Sequence, residues 1–259
     1  QLGNGTSTNA SNPVTVSGLT GAAQVEGGYY HTCARMPTGT VRCWGYNAHG
    51  ELGNNSTANS TVPVATSTIT NLADIDVGVY HTCGVRRDGT VWCWGYNGYG
   101  QLGDGTGSSR TVPVQVVQLQ NVTEVATGSN HSCAIRTGGT VWCWGYNGYG
   151  QLGDGTDDDH GRALPVPGLT GAVEIVAGFN HTCARISDGT VRCWGYNGYG
   201  QLGDGSATNR YSPVAVSGIS TAIQITSSEI HTCALLSGGT LQCWGYNGNG
   251  QLGDGTTTN

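Results

Sequence analysis

Apolar residues in this chain fall into short β-rich runs, and residues 110–145 show one full set. Val112–Val116, Val122–Thr127, His131–Arg136 and Thr140–Gly145 are each bounded by glycine or a polar turn, a pattern that predicts four short strands. Pro113 cannot donate to a strand ladder, so the first run is an edge strand and the outermost of the four. Val122–Thr127 is placed innermost, and the last two runs form a hairpin. No window keeps a 3.6-residue period free of glycine or β-branched residues, so no helix is expected.

The same set recurs every 50 residues. Cys33, Cys83, Cys133, Cys183 and Cys233 form one column, and Cys43, Cys93, Cys143, Cys193 and Cys243 another. His31, His81, His131, His181 and His231 form a third, and Trp44, Trp94, Trp144, Trp194 and Trp244 a fourth. A fixed period of this size means one supersecondary unit repeated around a ring or along a stack. Four short strands with glycine-rich turns are the cue for a β-propeller blade. The expected fold is all-β: five 50-residue repeats of four antiparallel strands, in one domain over residues 1–259. The repeats run approximately 10–59, 60–109, 110–159, 160–209 and 210–259, and residues 1–9 duplicate 251–259.

Within each repeat the two cysteines stand ten residues apart. A hairpin turning at Arg87-Asp88-Gly89 sets Cys83 opposite Cys93, at the Cα separation of ~4.5–5.5 Å that a disulfide can span. Zinc knuckles of the Cys-x-x-Cys type do not occur. One disulfide per repeat is therefore expected, and with it an oxidising location: extracellular, at the cell surface, or periplasmic. Each bond closes a loop worth about 2–3 kcal/mol.

The proline strand occurs five times, at Pro13, Pro63, Pro113, Pro165 and Pro213, yet the last repeat ends before its own would begin. Asn12–Val16 is the spare copy, so an N-terminal strand pairing with Leu241–Trp244 would close a five-bladed ring. Gln1–Thr6 and Gln251–Thr256 are copies of one loop, however, and only one fits the joint. A seven-bladed parent and an open stacked array are the alternatives. A start at Gln1 in place of Met suggests a processed or excerpted segment.

Composition narrows the function classes. There are 45 glycines, only 10 % charged residues, and no lysine, the ten basic residues all being arginine. With a net charge of -6 and scattered arginines, no basic face offers itself to nucleic acid. No apolar run approaches the ~18–20 residues of a membrane span.

The pattern Gly-x-x-His-[Thr/Ser]-Cys-Ala, then Gly-Thr-Val-x-Cys-Trp-Gly-Tyr-Asn-x-x-Gly-Gln-Leu-Gly-Asp-Gly-Thr, resembles the repeat of the regulator-of-chromosome-condensation propellers. The likeness covers essentially the whole chain, and the run from Trp94 to Gly103 is highly specific. It implies four-stranded blades, most often seven. This chain differs in having five repeats and a cysteine pair in each, which suggests a secreted bacterial branch and not the nuclear exchange factor. The resemblance also implies that the histidine column packs and hydrogen-bonds at the start of the second strand.

No catalytic set emerges, because every His and Cys of the columns is a fivefold copy with a structural explanation. A phosphate loop of the Gly-x-x-x-x-Gly-Lys-Ser type requires a lysine. The tryptophans read as interblade packing, and Tyr96-Asn97 as shaping the connecting turn. Asp104, Asp154, Asp204 and Asp254 suit turns; one aspartate per turn is far from the six to eight oxygens of calcium. The run Asp157-Asp158-Asp159-His160 reads as a solvated loop, and His49 as solvated too. Asn55-Ser-Thr57 and Asn121-Val-Thr123 signify glycosylation only in a host with that machinery. No metal, cofactor or catalytic residue is assigned.

Differences between copies carry more information about function. The slot before each histidine reads Tyr29-Tyr30, Val79-Tyr80, Ser129-Asn130, Phe179-Asn180 and Glu229-Ile230. These ten residues are expected on one rim near the axis, where tyrosine and phenylalanine are suited to anchoring a protein interface. The family also includes a secreted β-lactamase-inhibitory propeller, and that resemblance implies an inhibitory face at Tyr29, Tyr30, Tyr80 and Phe179. Neutral drift in an exposed turn remains the alternative. A second variable set, Ala58–Thr61, Ser108–Thr111, Asp157–Arg162 and Thr208–Tyr211, leads into the outer strand. A further column, His49, Tyr99, Tyr149, Tyr199 and Asn249, suggests a repeated surface ridge or a contact between propellers. The expected function is an extracellular, non-catalytic binding or scaffold module with a protein partner. A surface layer, appendage or filament built by self-assembly is the second reading, and a β-lactamase-type inhibitor the third.

Overall fold

The computed structural model describes residues 1–259 and contains strands without helices. The strands form five antiparallel sheets. Blade 1 holds β1 (Gln24–Gly27), β2 (His31–Arg35), β3 (Val41–Gly45) and β4 (Ser60–Ala65); blade 2 holds β5 (Leu72–Val77), β6 (His81–Arg86), β7 (Val91–Gly95) and β8 (Arg110–Gln115). In blade 3 these become β9 (Val122–Thr127), β10 (His131–Arg136), β11 (Thr140–Gly145) and β12 (His160–Pro165). Blade 4 comprises β13 (Ala172–Ala177), β14 (His181–Ile186), β15 (Val191–Gly195) and β16 (Arg210–Ala215), whereas blade 5 has only β17 (Ala222–Ser227), β18 (His231–Leu236) and β19 (Leu241–Gly245).

The blades are out of phase with a reading of residues 110–145 as one sheet. β8 pairs with β7 of the preceding hairpin, so that segment contributes to two blades. The cause lies in the loop after Gly95. Asn97 is fully buried there and accepts from the Leu102 amide at 2.9 Å. Its side-chain amide donates to the carbonyls of Thr106 and Ser108 at 3.0 and 3.1 Å. The loop is thereby folded back, and delivers the proline strand to the free edge of its own hairpin.

The cysteine register is as the spacing requires. Cys83 faces Cys93 in the ladder, and all five pairs are bonded with Cα atoms 4.0–4.1 Å apart. Hydrophobic burial is concentrated between blades. In one such cluster Cys83, Val91, Cys93, Leu102 and Val116 of blade 2 meet Val122, Val125 and Trp144 of blade 3. Four clusters of this kind join the five blades in sequence.

The His, Trp and Thr/Ser columns act together at these joints. Between blades 2 and 3, the Gln101 carbonyl accepts from Trp144 Nε1 at 2.8 Å and from Ser132 Oγ at 3.0 Å. Because Ser132 gives its proton to that carbonyl, His81 Nε2 is the donor in its 2.9 Å bond to Ser132 Oγ. The same closed circuit links His31 to Thr82, His131 to Thr182 and His181 to Thr232, at 2.7–3.0 Å. Gly103 lets the loop close on the indole. It has φ +68°, and a Cβ there would lie 2.9 Å from Trp144 Nε1. Gly103→Ala is expected to cost about 2–3 kcal/mol through strain and overpacking, read as a fall in the urea midpoint.

Closure by the N-terminal strand does not occur. Asn12–Val16 forms no strand, blade 5 stays three-stranded, and Leu241 is 63 % exposed at its free edge. Gln1–Gly3 occupies the loop position against blade 1, where the Gln1 carbonyl accepts from Trp44 Nε1 at 2.6 Å. The Gly5 amide then donates to Thr61 and the Ser17 amide to Gly3, which turns residues 6–17 back on blade 1. Of the two near-identical loops, the one covalently nearest Trp44 takes the joint.

Candidate functional site

Five innermost strands line an axial cavity of about 670 Å³. At one end, Gly28, Gly78, Gly128 and Gly178 form a collar in which a Cβ would come within 2.3–2.5 Å of the next blade's carbonyl. Ser228 replaces glycine in the last blade, where no neighbour follows, and its hydroxyl is hydrogen-bonded to His231 Nδ1 at 2.5 Å. This close approach crowds the two-residue slots that follow each collar position onto one rim.

The slots divide into two tiers. The first, Tyr29, Val79, Ser129, Phe179 and Glu229, lies nearest the axis and is partly tied by backbone bonds from Ser129 N to Phe179 O and from Phe179 N to Glu229 O. Ser129 Oγ also donates to Phe179 O at 2.7 Å. Tyr29 is 51 % exposed, and its ring lies 5.8 Å from that of Phe179. In the second tier, Tyr30 stacks on Tyr80 with centroids 5.4 Å apart.

Three candidates are absorbed by the scaffold. Val79 is buried, while Asn130 and Asn180 accept from the buried side chains of Gln101 and Gln151 at 3.2 and 3.4 Å. Ile230 cannot accept in this way, and the Gln201 side-chain nitrogen is left without a partner. Glu229 and Ile230 remain on the rim, exposed and half-buried. The aromatic residues Tyr29, Tyr30, Tyr80 and Phe179, with Glu229 and Ile230, are therefore the rim side chains without a joint to hold.

Two histidines depart from the sequence expectation of solvated side chains. His49 lies among tyrosines, 4.9 Å from the ring of Tyr96. His160 pairs with Asp154 at 2.8 Å, in the position where Arg110 and Arg210 pair with Asp104 and Asp204. The acidic loop is correspondingly structured, since Asp159 accepts from the Asn147 amide at 2.7 Å.

Polar residues of the inner strands form a system that the sequence reading missed. Gln24 donates to the Ile75 carbonyl at 3.0 Å, Glu124 accepts from Ile175 N at 2.9 Å, and Glu174 accepts from Ile225 N at 3.1 Å. The available signal was a polar residue recurring at a 50-residue interval within otherwise apolar strands. Asp76 bridges likewise, accepting from the amide and hydroxyl of Thr127. Burial pushes Asp76 up to about 6 and Glu124 up to about 7, the nearby Asp74 and Glu174 adding to the latter. Carboxyl groups are thus concentrated below the aromatic rim, where burial favours their neutral form.

The whole of residues 1–259 matches the model of the RCC1-like domain. The chain belongs to the RCC1-like domain family. Human WBSCR16 is similar in structure, with a TM-score of 0.82 at 23 % identity over 92 % of this chain and 65 % of that one. Prp20p from Saccharomyces cerevisiae gives a TM-score of 0.77 at 22 % identity, over 91 % of this chain and 60 % of the other. The same yeast protein bound to Kap60 gives 0.73 at 22 % identity, covering 86 % of this chain and 55 % of that one. At these identities the likeness establishes the fold alone, and the chain spans only 55–65 % of the length of these structures. No curated protein sequence matches it significantly.

Proposed function

We propose that this RCC1-like chain is an extracellular, non-catalytic binding propeller that engages a protein partner through its axial rim. Tyr29, Tyr30, Tyr80 and Phe179 carry the reading. They form one partly exposed aromatic cluster, while the neighbouring Asn130 and Asn180 are spent on interblade bonds. Rigid aromatic side chains on a disulfide-braced collar lose little entropy on docking, which is the usual property of an interface anchor. Five disulfides support an oxidising location. The fold supports a scaffold role in general terms, since yeast RCC1 has been seen bound to Kap60.

The triple variant Tyr29→Ala, Tyr30→Ala, Tyr80→Ala is expected to keep its five disulfides and its melting temperature to within a few degrees. It should lose a partner captured from the native surroundings by at least about 30-fold, roughly 2 kcal/mol. An Arg86→Ala, Arg87→Ala variant at the opposite end should capture normally. Equal capture by both variants would exclude the rim.

A further inference from the structure

The rim cluster is the inner end of a longer aromatic surface. From Tyr46 the rings run through His49, Tyr96 and Tyr99 to Tyr146, and then through Tyr149, Tyr196 and Tyr199 to Tyr246. Each step separates ring centroids by 4.9–6.3 Å, and the arc crosses all five blades on the rim's own face. Tyr30 meets it at Tyr46 (5.8 Å) and Tyr80 at Tyr96 (6.3 Å). Gly98 leaves room for Tyr96, since a Cβ there would lie 2.2 Å from its hydroxyl, and Gly148, Gly198 and Gly248 do the same for their tyrosines, whereas blade 1 carries Ala48 beside Tyr46. Tyr99 and Tyr199 are 41 % and 38 % exposed. None of these rings fills an interblade cluster.

Charge identifies what would cover such a surface. On this face Asp157, Asp158, Glu229 and Asp254 are exposed and form no ion pair, whereas Arg110 and Arg210 are neutralised by Asp104 and Asp204. Arg162 lies at its outer edge, beside Gly105. Within the axial cavity stand Glu26, Asp74, Asp76 and Glu124. The opposite end carries Arg86, Arg87 and Arg136, of which Arg86 is paired with Asp88 and two stack on Trp92 and Trp142, together with the exposed Asp188. Tyrosine faces and carboxylates together attract lysine and arginine, the rings through their quadrupoles and the acids through Coulomb attraction. A second copy stacked end to end would also pair acidic with basic surfaces, but each copy has a net charge of -6 and repels another.

We infer that the tyrosine arc is a docking surface for a basic, arginine- or lysine-rich protein segment, with the axial mouth between Tyr29 and Phe179 receiving one cationic side chain. This deepens the rim reading and rests on it. The segment lies across the arc, and the exposed carboxylates Asp157, Asp158, Glu229 and Asp254 of this face supply the long-range pull that aligns it.

An octa-arginine peptide tests this, with octa-glutamine as control and calorimetry or fluorescence as readout. The protein should bind octa-arginine saturably near about 50 mM salt and roughly tenfold more weakly near about 200 mM, while ignoring octa-glutamine. Tyr99→Ala, Tyr149→Ala, Tyr199→Ala together should weaken binding about tenfold at unchanged charge, and the matching tyrosine-to-phenylalanine variant should retain it. Phe179→Ala should weaken it separately. Native disulfide content and near-ultraviolet circular dichroism establish that each variant is folded. Binding unaffected by the tyrosine changes would reduce the effect to bulk charge and overturn the inference. So would an assembly of the protein with itself that the same tyrosine variants dissolve. If the peptide fails while the Tyr29, Tyr30, Tyr80 variant still loses its captured partner, the rim reading survives with a different partner chemistry.

Discussion

Acidification should weaken this propeller well above the pH at which ordinary carboxylates titrate. Burial, aided by neighbouring imidazoles at three of the four, holds His31, His81 and His131 down to about 3 and His181 to about 4, against an ordinary value near 6.5. The geometry explains why the charged form is excluded. Each Nε2–H is committed to a Thr or Ser of the next blade, and each Nδ1 is buried without a partner to receive an added proton's bond. The unfolded chain takes up these protons as pH falls through 6.5, while the native chain does not. Stability present above pH 6.5 is therefore lost progressively toward pH 3–4. Each histidine contributes a slope of about 1.4 kcal/mol per pH unit.

Buried carboxylates act in the opposite sense. Asp76 and Glu124, raised to about 6 and about 7, are protonated in the native state before the unfolded one, and so add stability as pH falls. Each offsets roughly one histidine between pH 6 and 5, and the raised Glu26, Glu51 and Asp74 reduce the slope further. Urea midpoints at several pH values between 7.5 and 4.5 should fall, and His131→Gln isolates the cause. The wild-type slope should exceed that of the variant by about 1.4 kcal/mol per pH unit below pH 6. Parallel slopes would show that His131 is not held neutral.

These joints also show which features were legible in the sequence. Strand positions followed from short apolar runs and turns, and the disulfides from hairpin register, since both are local. The histidine and tryptophan columns were recognisable as structural because every blade repeats them. Three other features depend on which blade lies next to which. Asn130 and Asn180 look like free rim residues until Gln101 and Gln151 are seen beneath them. His49 looks solvated until the arc carries it between Tyr46 and Tyr96. Gln1–Thr6 and Gln251–Thr256 are near-identical, and only chain connectivity decides that the first caps Trp44. A single repeat read alone contains none of these relations.

Reduction of the five disulfides should have the largest effect on stability, and it should proceed in a defined order. A loop of this size contributes about 2–3 kcal/mol in the chain-entropy account, so five together reach about 10–15 kcal/mol. That matches the whole stability of a typical domain, and the fully reduced chain is expected to be unfolded at room temperature. Native reduction must first expose sulfur, and access differs between blades. Eight of the cysteines, Cys33 through Cys193, are at most 1 % exposed because the next blade covers them. Cys233 and Cys243 are half-buried, beside Trp244 and the uncovered face of blade 5. Under dithiothreitol without denaturant, alkylation and mass spectrometry should find this pair modified first, with the other four protected until the blades separate. In denaturing urea all ten cysteines should react together. Early modification of Cys133 and Cys143 in native protein would mean that the interblade seams open readily, and would count against the rigid collar on which the rim depends.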